Sequence, residues 1–484
     1  MKKIFSKLLV FALVIALSGA VSLFAGCNPS SETVDYEHTI VFYSSQGDNL
    51  QTVTKNAIAS FEAKYPGWKV VHTKPGGYDE VRNKITSDLQ VGNQPDLAYC
   101  YPDHVAMYLK SKKVVDLNKY INSTEKAAWN VTDSEGNVTK KTTEYTVGYT
   151  AEELQDFVQT YWHEGYATNF SDYDTWGYQE GSMLTLPFVK STELMYYNKT
   201  ALQQAGLTVA TTWDELWAQC APLTERFSKC TPLGVDSGAN WFITMCEQND
   251  WGYTSTNKEE HYLFAGKKQA AWLTMIKEYF DKGYFTTQEE YNAYTSGLFV
   301  KGMEEGGLVY CIGSSGGASH QDPGTKFEWG IAPIPGSKLA DGTVNSSVIS
   351  QGPSLVMLTG GHQVTNSAEK EMMTFMFIKE LLNPTFQAAF ATASGYNSVR
   401  LSTSKVEAYK EFVNGGGIIA EAIKTGETLR DKFYVSPAFI GSSTARDQAE
   451  SLLYNVMKGS STPEQALLDA YKKCSGKTKT ALDD

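Results

Sequence analysis

Thr39-Ile-Val-Phe42, Lys69-Val-Val-His-Thr73 and Asp96-Leu-Ala-Tyr99 are three short runs of apolar, β-branched and aromatic residues, and they predict three strands. Apolar residues at helical spacing lie between them: Val53, Ala57, Ile58 and Phe61 in the first interval, and Val81, Ile85 and Leu89 in the second. Strand, helix, strand, helix, strand predicts a parallel sheet with crossover helices, and therefore an α/β fold.

Ligands of such sheets bind at the loops that follow the carboxyl ends of the strands. The three loops here span residues 43–46, 76–78 and 101–104, and they contain Gln46, Tyr78 and Asp103. These three side chains are the first candidates for a binding site.

The rest of the chain predicts a second α/β region that starts at Leu186. The 484 residues of the chain are too many for one ordinary domain, so we expect two lobes. Asp133-Ser-Glu-Gly136 predicts a hairpin turn in the less regular stretch before that region. The later predicted elements are a strand at 328–333 and helices at 213–220, 269–280, 368–382, 446–457 and 463–471.

Charge and composition exclude several functions. The chain has 42 basic and 54 acidic side chains, a net charge of −12, and only five arginines. A nucleic-acid partner is excluded because each bound phosphate needs a basic neighbour. An apolar content of 42% is ordinary for a folded protein.

The cysteines after residue 27 carry no metal-site pattern. Neither a CxxC pair nor a Cys/His cluster occurs, so we expect no metal and no cofactor. Cys220 and Cys230 are the pair closest in sequence for a disulfide, and small buried thiols are the alternative.

The amino terminus reads as an export signal. Three lysines at positions 2, 3 and 7 precede an almost unbroken apolar run over 8–24, and Leu23-Phe24-Ala25-Gly26 then leads to Cys27. Small residues before a cysteine resemble the lipobox of bacterial lipoproteins. This resemblance implies cleavage after residue 26, lipid on Cys27, a tether over 27–35 and a mature net charge of −15. An uncleaved anchor or an ordinary secretory signal is the alternative.

Eight phrases, in order along nearly the whole mature chain, resemble family 1 extracellular solute-binding proteins of bacterial ABC importers. They are Thr39-Ile-Val-Phe-Tyr-Ser-Ser45, Gly92-Asn-Gln-Pro-Asp96, Leu186-Pro-Phe-Val-Lys-Ser-Thr-Glu-Leu-Met-Tyr-Tyr-Asn198, residues 202–206, Thr212-Trp-Asp-Glu215, residues 328–336, Gly352-Pro-Ser-Leu-Val356 and Gly395-Tyr-Asn-Ser-Val-Arg400. The chain is most similar to the branch that holds glycerol-3-phosphate, glycerophosphodiester and sugar binders.

The resemblance implies a two-lobed periplasmic-binding-protein-like fold of type II, with the ligand in a cleft between the lobes. We expect lobe 1 at 36–188 plus 353–388, lobe 2 at 189–352 plus 389–475, and a tail at 476–484. The implied function is capture of a sugar or oligosaccharide by hinge closure, without chemistry, outside the cytoplasmic membrane. The implied partners are ABC permease subunits with their ATPase, and the membrane through Cys27.

The resemblance also implies binding residues. The glycerophosphate branch matches this chain at Tyr78, Ser191, Ser314 or Ser315, Gly352, Tyr396 and Arg446. Tyrosine rings suit a sugar's CH surface, a glycine permits close backbone approach, and an arginine holds a phosphate or a diol. Asp103 stands one place beyond the branch's acidic position, and Trp241 is the candidate for its tryptophan platform.

Three alternatives stay open. Glycerol 3-phosphate or a glycerophosphodiester is the second ligand class. Coupling to a sensor kinase is an alternative to a permease. Gly313-Ser-Ser-Gly-Gly317 fits the G-x-S-x-G pattern of a secreted serine hydrolase that would use Ser315.

Overall fold

The computed structural model describes residues 34–484, and the helices and strands that it describes lie within residues 37–484. The predicted signal peptide and Cys27 lie outside the described residues. Between residues 34 and 484, no helix combines the length and the apolar character that crossing a bilayer requires.

A five-stranded sheet contains the three strands that the sequence predicts near the start. Its strand order is Lys69–Thr73, Thr39–Tyr43, Leu97–Cys100, Ser354–Met357 and Leu186–Pro187. The first three strands are parallel, as predicted, and each of the last two is antiparallel to the strand before it in this order. The carboxyl ends of the parallel strands therefore open at one edge, where the three predicted loops lie.

A second five-stranded sheet is built from the middle of the chain. Its strand order is Phe285–Thr287, Thr231–Val235, Leu308–Ser314, Glu193–Asn198 and Trp329–Pro333. The first three strands are parallel, and the last two are antiparallel to their neighbours.

Helices account for most of the remaining structure. They are Gln51–Lys64, Tyr78–Val91, Pro102–Tyr108, Asn118–Ile121, Ala151–Gln155, Gln159–His163, Lys199–Gln204, Trp213–Arg226, Gly238–Gln248, Lys267–Asp281, Gln288–Tyr291, Ser296–Phe299, Ser367–Leu381, Pro384–Ser394, Glu407–Gly415, Ile418–Glu427, Ser442–Met457 and Pro463–Ser475. Short 3-10 turns lie at Asp48–Leu50, Leu109–Ser111, Ala167–Asn169, Asp174–Trp176, Met303–Glu305, Ser315–Gln321, Gly361–Gln363 and Leu401–Lys405.

Four two-stranded pairs complete the structure. The predicted turn at 133–136 joins a hairpin of Lys126–Thr132 and Val138–Thr146. The other pairs are Ser337–Lys338 with Val344–Asn345, Val348–Ile349 with Phe433–Tyr434, and Val189–Lys190 with Asn397–Ser398.

Each large sheet has its own hydrophobic core, which makes two lobes. Phe42, Phe61 and Phe377 pack edge to face around the first sheet. A separate core around the second sheet contains Trp213 and Trp272. The first and second lobes are these two sheets with the side chains that pack on them. The residue boundaries predicted for the lobes stay a prediction.

Packing also shows where residues 476–484 and the cysteines lie. The predicted tail at 476–484 returns to the second lobe, because the Asp483 backbone bonds with Ala265 and Lys267, and Leu482 packs on the core. All six cysteines in the described part of the chain are free thiols, and five are buried. Of the two alternatives for Cys220 and Cys230, the structure therefore has the unpaired thiols.

Candidate functional site

Within residues 34–484, three segments cross between the two sheets side by side. Ser191 and Gln351 exchange backbone hydrogen bonds of 2.9 and 2.8 Å, which pairs the first crossing with the second. Asn397–Ser398 pairs with Val189–Lys190, which adds the third crossing. Such a bundle is the natural pivot for a rotation of one lobe against the other.

Gly352 serves this pivot. Its φ of +93° suits glycine, and a Cβ there would lie 2.4 Å from the Val189 carbonyl oxygen. The close backbone approach at Gly352 is to the chain's own crossing strand, which gives this glycine a role in the hinge, and its contact with a ligand stays a prediction.

A buried ion pair joins two of the crossings. The Lys190 ammonium bonds to the Glu164 carboxylate, and their side chains are only 2% and 5% exposed. Ser350 donates to the other oxygen of Glu164 over 2.6 Å. Glu164 therefore holds the first and second crossings in one arrangement.

Tyrosines gather beside the hinge at the edge of the first sheet. Tyr78 opens the helix Tyr78–Val91, and its ring stacks on Tyr101 with the centroids 4.3 Å apart. The Tyr396 side chain lies close to Tyr78 and Ser191. Burial raises the pKa of each of the three tyrosines, so their hydroxyls stay protonated. Protonated hydroxyls can donate and accept hydrogen bonds with a polyol.

The loop after the strand Leu308–Ser314 reaches the same place from the second lobe. A Cβ on Gly316 would lie 2.5 Å from the Tyr396 ring, so this loop packs directly on that tyrosine. The Ser314 hydroxyl accepts from the Gly316 N–H over 3.2 Å. Ser314 is thus brought to the cleft together with Tyr78, Ser191 and Tyr396.

Ser315, the next residue, does not face the cleft. Its side chain is buried, its hydroxyl accepts from the Thr192 N–H, and its own N–H donates to the Thr192 carbonyl. These bonds fasten the loop to the second sheet. Ser315 is therefore a structural residue of the second lobe, and its hydroxyl is turned away from solvent.

Arg446 and Asp103 line one cavity from opposite lobes. Both line a cavity of about 80 Å³ whose other walls include Tyr101, Tyr253 and Gln351. Arg446 belongs to the helix Ser442–Met457 of the second lobe, whereas Asp103 follows a strand of the first sheet. A ligand in this space would touch both lobes.

A buried carboxyl lies behind the cavity. Glu193 accepts from the Asn240 amide over 2.9 Å and from the Gln351 amide over 2.8 Å. Burial raises its pKa to about 7. Asn240 in turn accepts from the Arg446 guanidinium over 2.6 Å. Glu193, Asn240 and Gln351 were not predicted from the sequence, although each lies within two residues of a predicted position.

Two predicted binding residues lie inside the lobes instead. Trp241 is 4% exposed and packs against Trp272 and Phe285, with ring centroids 5.4 and 5.2 Å away. The Gln46 amide donates to the Tyr99 hydroxyl and accepts from Thr54. Both side chains complete hydrophobic or polar packing, so neither prediction of a ligand contact fits their positions.

The described residues contain no cluster of three or more His, Cys, Asp or Glu side chains arranged to hold a metal ion. The side chains at the cleft are hydroxyls, amides, one arginine and carboxylates. Such a set recognises a solute by hydrogen bonds and ring contacts.

The family model for bacterial extracellular solute-binding proteins matches residues 56–414. The chain belongs to this family, whose members bind solutes and are not enzymes. The hydrolase alternative at Ser315 is therefore wrong.

The sequence identity to individual relatives is low. The sn-glycerol-3-phosphate-binding periplasmic protein UgpB of Escherichia coli K12 is 25% identical over 349 residues, which cover 70% of each chain.

Solved structures share the fold at low identity. The GacH receptor of Streptomyces glaucescens, described unliganded and with acarbose, has a TM-score of 0.67 and 16% identity, over 91% of this chain and 99% of its own. UgpB of Mycobacterium tuberculosis with glycerophosphocholine has a TM-score of 0.67 and 17% identity, over 90% of this chain and 98% of its own. Lmo0181 of Listeria monocytogenes with cycloalternan has a TM-score of 0.66 and 16% identity, over 90% of this chain and 98% of its own. The predicted α/β two-lobed fold of type II is thereby confirmed.

Proposed function

We propose that this protein captures a sugar or oligosaccharide between its lobes and delivers it to the permease of an ABC importer. The observation that carries the proposal is one cavity lined from both lobes by Asp103 and Arg446, with Tyr78 stacked on Tyr101 of its wall. Tyr396 and the loop after Ser314 pack on each other beside the hinge. Stacked tyrosines offer flat apolar faces, and the polar groups around them suit hydroxyls.

Closure follows from contacts to both lobes. A solute that touches only one lobe binds the open and the closed state equally well, and it shifts neither. A solute that touches Asp103 on one side and Arg446 on the other gains its second set of contacts only when the lobes approach. The permease then has a solute-dependent shape to recognise.

Lipid anchoring is part of the proposal. Acylation of Cys27 would hold the protein at the outer face of the cytoplasmic membrane, next to the permease. Cys27→Ser should move the protein from the membrane fraction to the medium. Retention of this variant in membranes would contradict the anchor.

Glycerol 3-phosphate or a glycerophosphodiester is the second candidate. Arg446 favours it, because a guanidinium can bind a phosphate in a fork. Similarity to the glycerol-3-phosphate-binding protein of Escherichia coli supports it further.

Titration calorimetry of the purified full-length protein tests the proposal. The probes are maltotriose, mannobiose, glycerol 3-phosphate and glycerophosphocholine, and we expect binding of a saccharide. Tyr396→Ala should abolish that binding, whereas Tyr291→Ala, which changes an exposed tyrosine of the second lobe, should not. Binding of the phosphate esters alone, lost in Arg446→Ala and kept in Arg226→Ala, would favour the second candidate.

A further inference from the structure

Glu193 sits directly behind the cleft. It begins the strand Glu193–Asn198, two residues after the hinge residue Ser191, and it is 5% exposed. One carboxylate oxygen accepts both amide hydrogen bonds, from Asn240 and from Gln351. Among the described residues, the other oxygen is buried and has no hydrogen-bond partner. Both amide donors belong to residues that line the cavity.

This arrangement fixes which way the two amides face. A side-chain amide carries its donors on nitrogen and its acceptor on oxygen, on opposite sides of the group. Because both nitrogens turn inward to Glu193, both oxygens turn away from it. The Asn240 oxygen accepts from Arg446 over 2.6 Å, and the Gln351 oxygen remains as an acceptor at the cavity.

Charged side chains also lie around the cavity. Arg446 already donates to Asn240, and Arg82 pairs with Asp79 over 3.1 Å. Asp103 adds a carboxylate at the wall. Asp447 lies within electrostatic reach of Asp79 and Asp103, and its pKa is raised by burial and by these carboxylates. Gln351 and Asp103 therefore put acceptor oxygens beside Arg446 at the cavity, and an incoming phosphate would meet these oxygens as well as the guanidinium.

We propose that Glu193 is a positioning residue that keeps the cleft floor lined with acceptors, so that the cleft takes hydroxyl-rich saccharides and rejects phosphate esters. The inference rests on the proposed function, and it chooses between the two ligand classes named there. Saccharide hydroxyls supply the donors that the Gln351 oxygen and the Asp103 carboxylate need. A phosphate dianion supplies none.

The proposal also gives binding a pH dependence. The pKa of Glu193 is raised to about 7, first by burial and also by Asp236, while the amides of Asn240 and Gln351 and the charge of Arg446 lower it. Tyr196 and Cys311, its other titratable neighbours, stay protonated because burial raises the pKa of each. Above about pH 7 the ionised carboxylate accepts both amides strongly, and below it the protonated group holds them weakly.

Calorimetry of the full-length protein at about pH 6 and about pH 8, with maltotriose, mannobiose and glycerol 3-phosphate, tests the inference. We expect a saccharide to bind at least about tenfold more tightly than glycerol 3-phosphate, which is about 1.4 kcal/mol, and more tightly at the higher pH. Glu193→Gln keeps the shape of the side chain but replaces one carboxylate oxygen by an N–H donor. It should weaken the saccharide about tenfold, flatten the pH dependence and reduce the preference over phosphate.

Controls separate positioning from folding. Glu328→Gln makes the same change at an exposed site of the second lobe, and it should keep the wild-type affinities and pH dependence. If Glu193→Gln fails to fold, Gln351→Met removes the cavity acceptor itself and should weaken the saccharide equally.

Equal saccharide binding and equal pH dependence in wild type and Glu193→Gln would overturn the inference and leave the proposed function intact. A preference of the wild-type protein for glycerol 3-phosphate would also overturn it, in favour of the second candidate. Binding of no probe at all would refute the proposed function, and the inference with it.

Discussion

Replacing Lys190 by methionine should destabilise the protein strongly. Lys190 and Glu164 are 2% and 5% exposed, so the change leaves a buried carboxylate without its cation. Breaking one side of a buried pair costs about 3–5 kcal/mol, a large part of a typical stability of about 5–15 kcal/mol. Ser350 still donates to the Glu164 carboxylate, but one hydrogen bond to a charged group offsets only about 1.5–3 kcal/mol of that loss.

Urea unfolding measures this effect. The double variant Lys190→Met with Glu164→Leu should recover most of the loss, because no unpaired charge remains in the hinge. Lys258→Met is the matched control. Its ion pair with Asp174 spans 2.8 Å but is half exposed, so the change should cost about 1 kcal/mol or less. A Lys190→Met cost as small as the control, or a double variant no more stable than the single one, would refute the reasoning.

Four further outcomes follow from the packing and charges. Trp241→Ala should cost about 3–5 kcal/mol in unfolding experiments and leave solute affinity unchanged while the protein is folded, since this ring lies in the core. Tyr78→Ala should weaken solute binding about tenfold in calorimetry and cause only a small loss of stability, because this ring stacks on Tyr101 at the cleft. Gly352→Ala should lower the free energy of unfolding by about 1–3 kcal/mol or more, because it combines a positive φ with a clash. The raised pKa of Glu193 means that the folded state binds a proton more tightly than the unfolded state. The contribution of Glu193 to stability without solute should therefore fall by about 3 kcal/mol as pH rises from about 4.5 to about 7, and Glu193→Gln should remove this contribution from the stability profile, to which the raised pKa of Asp96 also contributes.

Periodicity in the sequence predicts most of the first sheet. The strand Lys69–Thr73 has the predicted bounds, and the helix predicted at 368–382 spans Ser367–Leu381. These elements are well predicted because one face of each is buried in the core, so the apolar pattern repeats with the period of the backbone. The antiparallel strands at 186–187 and 354–357 were not assigned to this sheet. They are short, and each pairs with residues far away in sequence.

The cleft was predicted less well, for geometric reasons. Asn240 and Trp241 are neighbours in sequence, but one residue of helix turns a side chain by about 100°. That rotation puts Asn240 at the cleft and Trp241 in the core. Sequence resemblance alone does not tell which of two neighbouring helix residues faces the cleft. Gly352 and Ser315 are similar cases, because the features that made them attractive, a missing Cβ and a small hydroxyl, serve contacts within the protein itself.

Small-angle X-ray scattering of the purified protein, with and without a saturating saccharide from the calorimetric screen, measures the motion on which everything else depends. We predict that the radius of gyration shrinks when the saccharide is bound, and that it does not shrink in Tyr396→Ala at the same concentration. Superimposable wild-type profiles in the presence of a saccharide that binds tightly would contradict a clamp that closes on its solute.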